Sequence, residues 1–161
     1  CGDPVVYMEH KTLWGVEEDV DTSVQVPLGK AARLREGQHL TLVSWSRQVQ
    51  VCRQACEALV KEGIEVDLID LRTLYPFDMD AVEASVKKTG RCVIVHEAPK
   101  TCGFGAEIAA RCAEECMFDL VAPVERVTGY DTHIPLFRLE MKYLPSVEKI
   151  VAAAKRTLAA S

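Results

Sequence analysis

Arg91-Cys-Val-Ile-Val-His-Glu-Ala-Pro-Lys-Thr-Cys-Gly-Phe-Gly-Ala-Glu-Ile108 is the stretch whose reading decides the fold. Cys92–Val95 is a short, continuous apolar run with a Val-Ile-Val centre, the pattern of a strand buried on both faces. Pro99 is expected to stop it, because proline cannot donate to a central ladder. Gly103 and Gly105 follow, then a helical apolar pattern through Ile108, Ala109 and Cys112. A strand, a sharp loop with glycines and a helix make half of a βαβ unit. Ligand and partner sites in open α/β sheets gather at the carboxyl ends of such strands. His96 and Glu97 stand at that end.

Working outward, the same alternation repeats. Leu40–Trp45, Glu65–Asp70 and Val124–Thr128 read as further strands. A helix with Val49, Cys52, Cys56, Leu59 and Val60 on one face follows the first, with Ser46 as its cap and Gly63 at its end. Asp78 is the expected N-cap of the next, which runs through Val82 and Val86 and closes at Gly90. The helix after the central strand is expected over residues 104–119. Pro145-Ser146 opens the last one, with Ile150, Val151, Ala154 and Leu158 on its face. Gly129–Tyr143 reads as a long loop rich in aromatics. The pattern predicts a parallel sheet covered by helices on both faces, a three-layer α/β/α domain. Ala31–Arg35, ahead of the Glu36-Gly-Gln38 turn, reads as an edge strand that need not run parallel to its sequence neighbour. Asp3–His10 is strand-like, and Lys11–Lys30 has no period and reads as a linker or a surface arm.

The 161 residues suffice for one domain with a sizeable core, and 48% hydrophobic with 27% charged residues is a globular composition. A net charge of −5 without a basic stripe argues against nucleic-acid binding. No apolar run reaches the roughly 18 residues of a membrane span, and no signal peptide is visible at the start. Seven cysteines, an odd number mostly on apolar positions, read as reduced thiols packed as small hydrophobes in a cytosolic or matrix-like compartment.

The chemistry-bearing candidates each have a plainer reading. Gly103-Phe-Gly-Ala-Glu-Ile108 lacks the third glycine of a dinucleotide fingerprint and follows the wrong strand, so tight turning and close packing is the favoured reading. His96-Glu97 could be an acid–base pair in a cleft, but a hydrogen-bonded polar strand tip at a domain or subunit contact is favoured, since no nucleophile with its base lies nearby. Asp70 and Arg72 read as an ion pair inside the fold. Tyr130-Asp-Thr-His133 could line a groove, with solvent exposure as the default; His10 and His39 have no context.

Several phrases, in order, resemble one family. Pro27-Leu-Gly-Lys-Ala31, Val66-Asp-Leu-Ile-Asp-Leu-Arg-Thr-Leu74, His96-Glu-Ala-Pro99, Gly103-Phe-Gly-Ala-Glu-Ile-Ala109, Arg126-Val-Thr-Gly129 and Leu144-Pro-Ser-Val-Glu-Lys-Ile150 are similar to the β subunit of thiamine-diphosphate-dependent 2-oxo acid dehydrogenases. Glu114-Glu-Cys116 and Gly129-Tyr-Asp-Thr132 bring the branched-chain type slightly closer than the pyruvate type. The resemblance implies that residues 1–11 end a pyrimidine-binding domain, 12–30 are a linker, and 31–161 form a transketolase C-terminal domain. That domain has a five-stranded mixed sheet with the first strand antiparallel. It further implies a parent enzyme using thiamine diphosphate and magnesium, in a bacterial cytoplasm or the mitochondrial matrix. The family's catalytic glutamate and histidine lie earlier in the β subunit and its magnesium site on the α subunit, so no catalytic, cofactor or metal residue maps here, and this chain alone is expected to be inactive. The implied partners are the α subunit, a second β subunit and the subunit-binding domain of the dihydrolipoyl acyltransferase. Candidate interface or docking residues are His96, Glu97, Asp119 and Val121. Val121 stands where the family often has an acid, before Ala122-Pro123. The alternative is a free-standing α/β ligand-binding or catalytic domain using the His96-Glu97 loop and the Gly103–Gly105 turn.

Overall fold

A computed structural model describes residues 2, 4, 6–17, 19, 21 and 23–160. Five strands and five α-helices follow in the order β1 (Ala32–Arg35), β2 (Leu40–Ser44), α1 (Gln48–Val60), β3 (Val66–Asp70), α2 (Met79–Thr89), β4 (Cys92–Pro99), α3 (Gly105–Glu115), β5 (Glu125–Gly129), α4 (Glu140–Tyr143) and α5 (Val147–Ala159). The sheet order is β1-β3-β2-β4-β5. β1 is antiparallel to β3, and the other neighbours are parallel. The five-stranded mixed sheet with an antiparallel first strand is the expected fold. Gly37 allows the β1–β2 turn to lie on the Val66 backbone, where a Cβ would meet main-chain atoms.

Alternation along the strands divides the core in two. Leu40, Leu42, Leu68, Val93 and Val95 pack under α1 and α5 with Cys52, Cys56, Leu59 and Ile150. Val43, Ile69, Cys92 and Ile94 face the other way, under α2 and α3, with Val82, Val86, Ile108 and Cys112. A sheet buried on both faces explains why its strands read as near-continuous apolar runs.

Among the described charged residues, Asp67 alone is wholly buried. It points into the α2 layer, where Ser85 Oγ donates to it at 2.7 Å and Lys88 Nζ lies 2.8 Å away. Thr41 joins Ser85 and Thr89 to the same cluster. Polar groups at this depth persist because they are paired.

Capping follows the sequence at two helices. Asp78 accepts from the Ala81 N–H, and Ser146 from the Lys149 N–H. Gly90 takes the left-handed conformation (φ 69°) that terminates α2.

Four expectations are corrected. Ser46 is not the side-chain cap of α1; it sits at φ 55° in the turn leaving β2, and its carbonyl receives the Val49 N–H. Pro99 does not stop the central strand, which runs through it to pair with Gly129. Its pairs with β2 end at Ile94, so the missing proline N–H leaves no β2 partner unserved there. The helix after β4 ends at Glu115, not 119, with turns to the Cys116 carbonyl following. Asp3 and Val5 lie outside the described residues; the rest of the stretch to His10 forms no strand, having no paired neighbour, and Val6, Tyr7 and Met8 are exposed.

Six cysteines are described, all free; only Cys102 among them is exposed. Burial pushes the Cys52 thiol up to about 12 and those of Cys56 and Cys116 to about 11. The thiolate is the reactive form. Iodoacetamide at pH 8 is therefore expected to alkylate Cys102 at least tenfold faster than the other five in the folded chain, as read by peptide mass mapping. Equal labelling before denaturation would contradict this packing.

Candidate functional site

The chain turns to opposite sides of β2 when it lays down β3 and then β4, so the sheet reverses its winding between β2 and β4. Crevices at such reversals, outside the carboxyl ends of the strands, are where α/β sheets present functional groups. Here the crevice is built from the ends of those two strands: Trp45, Arg47 and Gln48 after β2, and His96 and Glu97 in β4.

Strand alternation separates His96 from Glu97. His96 continues the face of Cys92 and Ile94 and is 1% exposed. Its ring stacks on Trp45, with centroids 5.3 Å apart and planes 12° from parallel. Phe104 meets Trp45 edge-on, and Phe77 meets Phe104 in the same way. The two glycines make room for that ring. A Cβ on Gly105 would lie 2.5 Å from His96 Nε2, and one on Gly103 would lie as close to Cε1. Close packing is thus what Gly103 and Gly105 serve, and the object packed is an imidazole. Neither ring nitrogen has a hydrogen-bond partner. Burial lowers the His96 pKa, and the nearby Arg126 cation lowers it further. A neutral imidazole follows at neutral pH.

Glu97 continues the opposite face and is 28% exposed. Its Oε1 accepts from Arg47 Nη1 at 3.0 Å and Gln48 Nε2 at 2.9 Å, and its Oε2 lies 3.1 Å from His10 Nε2. His10 Nδ1 accepts from the Thr12 N–H, so its proton resides on Nε2 and points at Glu97. Burial works to raise the Glu97 pKa, but the Gln48 and Arg47 hydrogen bonds, the facing His10 ring and the Arg47 charge outweigh it and hold the carboxylate low. The two side chains thus lie on opposite faces of the sheet: His96 is buried under Trp45, and Glu97 is paired with Arg47 and Gln48 and meets His10 of the preceding arm. Leu13 and Val16 of that arm lie along a cleft with Val51, Met141 and Pro145. His10, Trp45, Arg47 and Gln48 carried no signal in the sequence beyond their closeness to strand ends.

The remaining candidates are scattered. Asp70 accepts the Arg72 backbone N–H at 3.1 Å, and no side-chain ion pair joins the two. His133 is exposed, whereas Tyr130 and Asp131 do line a cleft, on the far side of β5. Asp119 and Val121 follow α3, where the Val121 N–H donates to the Gly90 carbonyl at 2.9 Å. They flank an apolar knob in which Phe118 is 99% exposed and Met117 and Val121 are also open to solvent. A second apolar surface lies in the 130–143 loop, where Leu136 is 91% and Phe137 92% exposed.

Among the described residues no three His, Cys, Asp or Glu side chains converge as metal ligands. No described helix is long and apolar enough to cross a membrane.

Comparison with known proteins fits this geometry. Over 158 residues the chain is 48% identical to the mitochondrial 2-oxoisovalerate dehydrogenase subunit beta 2 of Arabidopsis thaliana, covering 97% of this chain and 44% of that protein. It is 43% identical to the pyruvate dehydrogenase E1 component subunit beta of Staphylococcus epidermidis, covering 97% and 49%. The chain therefore spans somewhat under half the length of these relatives. A split-gene transketolase solved as an inactive β4 tetramer superposes with a TM-score of 0.77 at 27% identity, over 90% of this chain and 46% of that one. A model of the transketolase C-terminal domain matches residues 29–150, which is most of the chain, and on that match the chain belongs to the transketolase C-terminal domain family.

Proposed function

We propose that the chain is the C-terminal assembly and docking domain of the β subunit of a 2-oxo acid dehydrogenase, acting on a branched-chain 2-oxo acid or pyruvate and passing the acyl group to a lipoyl arm. On this reading residues 1–11 end a pyrimidine-binding domain, 12–30 are the linker and 31–161 the C-terminal domain. The 48% identity over nearly the whole chain supports it. The observation that carries it is the exposed apolar surface of the 130–143 loop. Leu136 and Phe137 together present more open apolar area than the fold has reason to leave in water. Their proposed covers are the α subunit and a second β subunit.

Docking of the acyltransferase's subunit-binding domain is proposed at the second patch, where Asp119 supplies charge and Val121, with Phe118, apolar contact. Acidic character suits a basic partner. Glu97 serves assembly by tying the arm, and His96 by filling the space beneath Trp45. In the parent enzyme thiamine diphosphate with magnesium supplies the electron sink for decarboxylation. This chain's own residues position subunits and leave chemistry to residues outside it. The proposed compartment is a bacterial cytoplasm or the mitochondrial matrix; the relatives include bacterial and mitochondrial proteins.

Co-expression with the α subunit and the missing β half tests the reading. The assembled complex is expected to decarboxylate a 2-oxo acid. Replacing Leu136 and Phe137 with Ser is expected to weaken assembly at least tenfold while leaving the melting temperature of the isolated chain unchanged. Inactivity of a correctly assembled complex would refute it. So would magnesium-dependent binding of thiamine diphosphate by the 161-residue chain alone, measured by calorimetry.

A further inference from the structure

We propose that the cleft on the outer side of β5 binds the phosphate group of a small phosphorylated metabolite. An open cleft of about 380 Å³ lies between the end of β4, β5, the Tyr130–Asp131 turn and α5. Its walls carry Lys100, Arg126, Lys149 and Arg156. In a chain of net charge −5, four cations around one concavity run against the overall balance.

The local charges do not cancel. Arg156 is matched by Glu125, donating through Nε and Nη2 at 3.0 and 2.9 Å. Asp131 is held by the Thr101 N–H and hydroxyl, each at 2.8 Å. Four cations against these two carboxylates leave two positive charges over. Lys149 is fixed in place, donating to the Lys142 and Leu144 carbonyls at 2.8 and 2.9 Å, with a third proton to spare. Arg126 donates from Nη1 to the Lys100 carbonyl at 2.9 Å, which orients the guanidinium and leaves its other donors free. Among the described residues, neither Arg126 nor Lys100 forms an ion pair.

Two surplus charges, one on an oriented planar fork and one on an ammonium, match a group carrying nearly two negative charges on several oxygens. That is a phosphate, which guanidinium binds bidentately and ammonium as a point charge. The Tyr130 ring, with Lys149 Nζ 4.7 Å from its centre, gives an aromatic wall for the organic part of the ligand. Concavity favours a small molecule over an acidic protein surface. The cleft lies on the outer edge of the sheet, along β5.

The test titrates the ¹⁵N-labelled 161-residue chain with sodium pyrophosphate, and separately with adenosine 5′-diphosphate. EDTA is present, and sodium chloride at matched ionic strength is the control. Saturable shifts at the amides of residues 100–101 and 126–131 are expected with either phosphate and not with chloride. Tighter binding of the nucleotide, with Tyr130 ring shifts, would identify an organic phosphate; equal binding would identify the phosphate alone. Arg126→Gln is expected to weaken binding at least tenfold. Lys100→Gln, at an exposed site, serves the same purpose if Arg126→Gln melts early. Linear shifts, equal effects of chloride, or full affinity in both variants would overturn the proposal.

Discussion

Gly105→Ala is expected to destabilise the domain by about 3 kcal/mol, at the upper end of the usual range for forcing one extra carbon into a packed core. The new Cβ would fall 2.5 Å from His96 Nε2, 2.6 Å from Cδ2 and 3.2 Å from Ile94 Cγ2. The ring has little room to give. Trp45 stacks on it, and on its other side a Cβ at Gly103 would also lie 2.5 Å from Cε1, so that edge offers no free space either. Backbone conformation adds nothing to the cost, because Gly105 is the first residue of α3; helix propensity alone would favour alanine by up to about 1 kcal/mol. The clash therefore has to outweigh a gain, and a double-mutant cycle isolates it. In a His96→Ala background, Gly105→Ala is expected to cost nothing or to stabilise, giving a coupling of about 2–3 kcal/mol by urea denaturation. Equal cost in both backgrounds would show that the histidine is not what the glycine accommodates.

That pair shows how much could be read in advance and where reading stopped. The Gly103–Gly105 segment was legible as a tight strand-to-helix turn with close packing, because a missing side chain after a buried strand has few other uses. What it packs against was not legible. Periodicity assigns a face to His96 only once the strand is known to run straight through Glu97 to Pro99. The sequence hides this, because a proline inside a strand is harmless only where one side has no neighbour. That depends on β2 stopping at Ser44. The partners of Glu97 were hidden for a related reason. Arg47 and Gln48 are 50 and 49 residues away, and they meet Glu97 because β2 and β4 are adjacent, a strand order no local pattern encodes. The tight Glu36-Gly-Gln38 turn left β1 free to run against its sequence neighbour, but its antiparallel sense was implied only by the family resemblance, and its partner is β3, not the neighbour across the turn. Asp3–His10 was misread because alternation signals a strand only where another strand is there to pair with it.

Acidification is expected to destabilise the folded chain in two windows, and the crevice supplies a group for each. His96 has a folded-state pKa below its ordinary value of 6.5, so the unfolded chain takes up the proton first. Its contribution is intact above about pH 6.5 and is lost as pH falls from there toward the folded value. The slope in that window cannot exceed about 1.4 kcal/mol per pH unit for one group. At 1% exposure the ring has no water to soften the charge, and no carboxylate acts on it to offset the Arg126 cation. Glu97 acts lower. Its folded pKa lies below the ordinary 4.5, so its contribution persists above that value and is lost as pH falls through the folded one. Protonation would weaken the grip on Arg47, Gln48 and His10 together, releasing the arm as well as costing stability. Urea denaturation from pH 7.5 to pH 3 separates the two. His96→Leu is expected to flatten the upper window and leave the lower one. Glu97→Gln should do the reverse, and should also expose Leu13 and Val16 to faster amide exchange. An unchanged slope between pH 7 and pH 5.5 in His96→Leu would mean that the buried imidazole takes its proton as readily as one in water, which a ring with two unpartnered nitrogens under Trp45 has no means of doing.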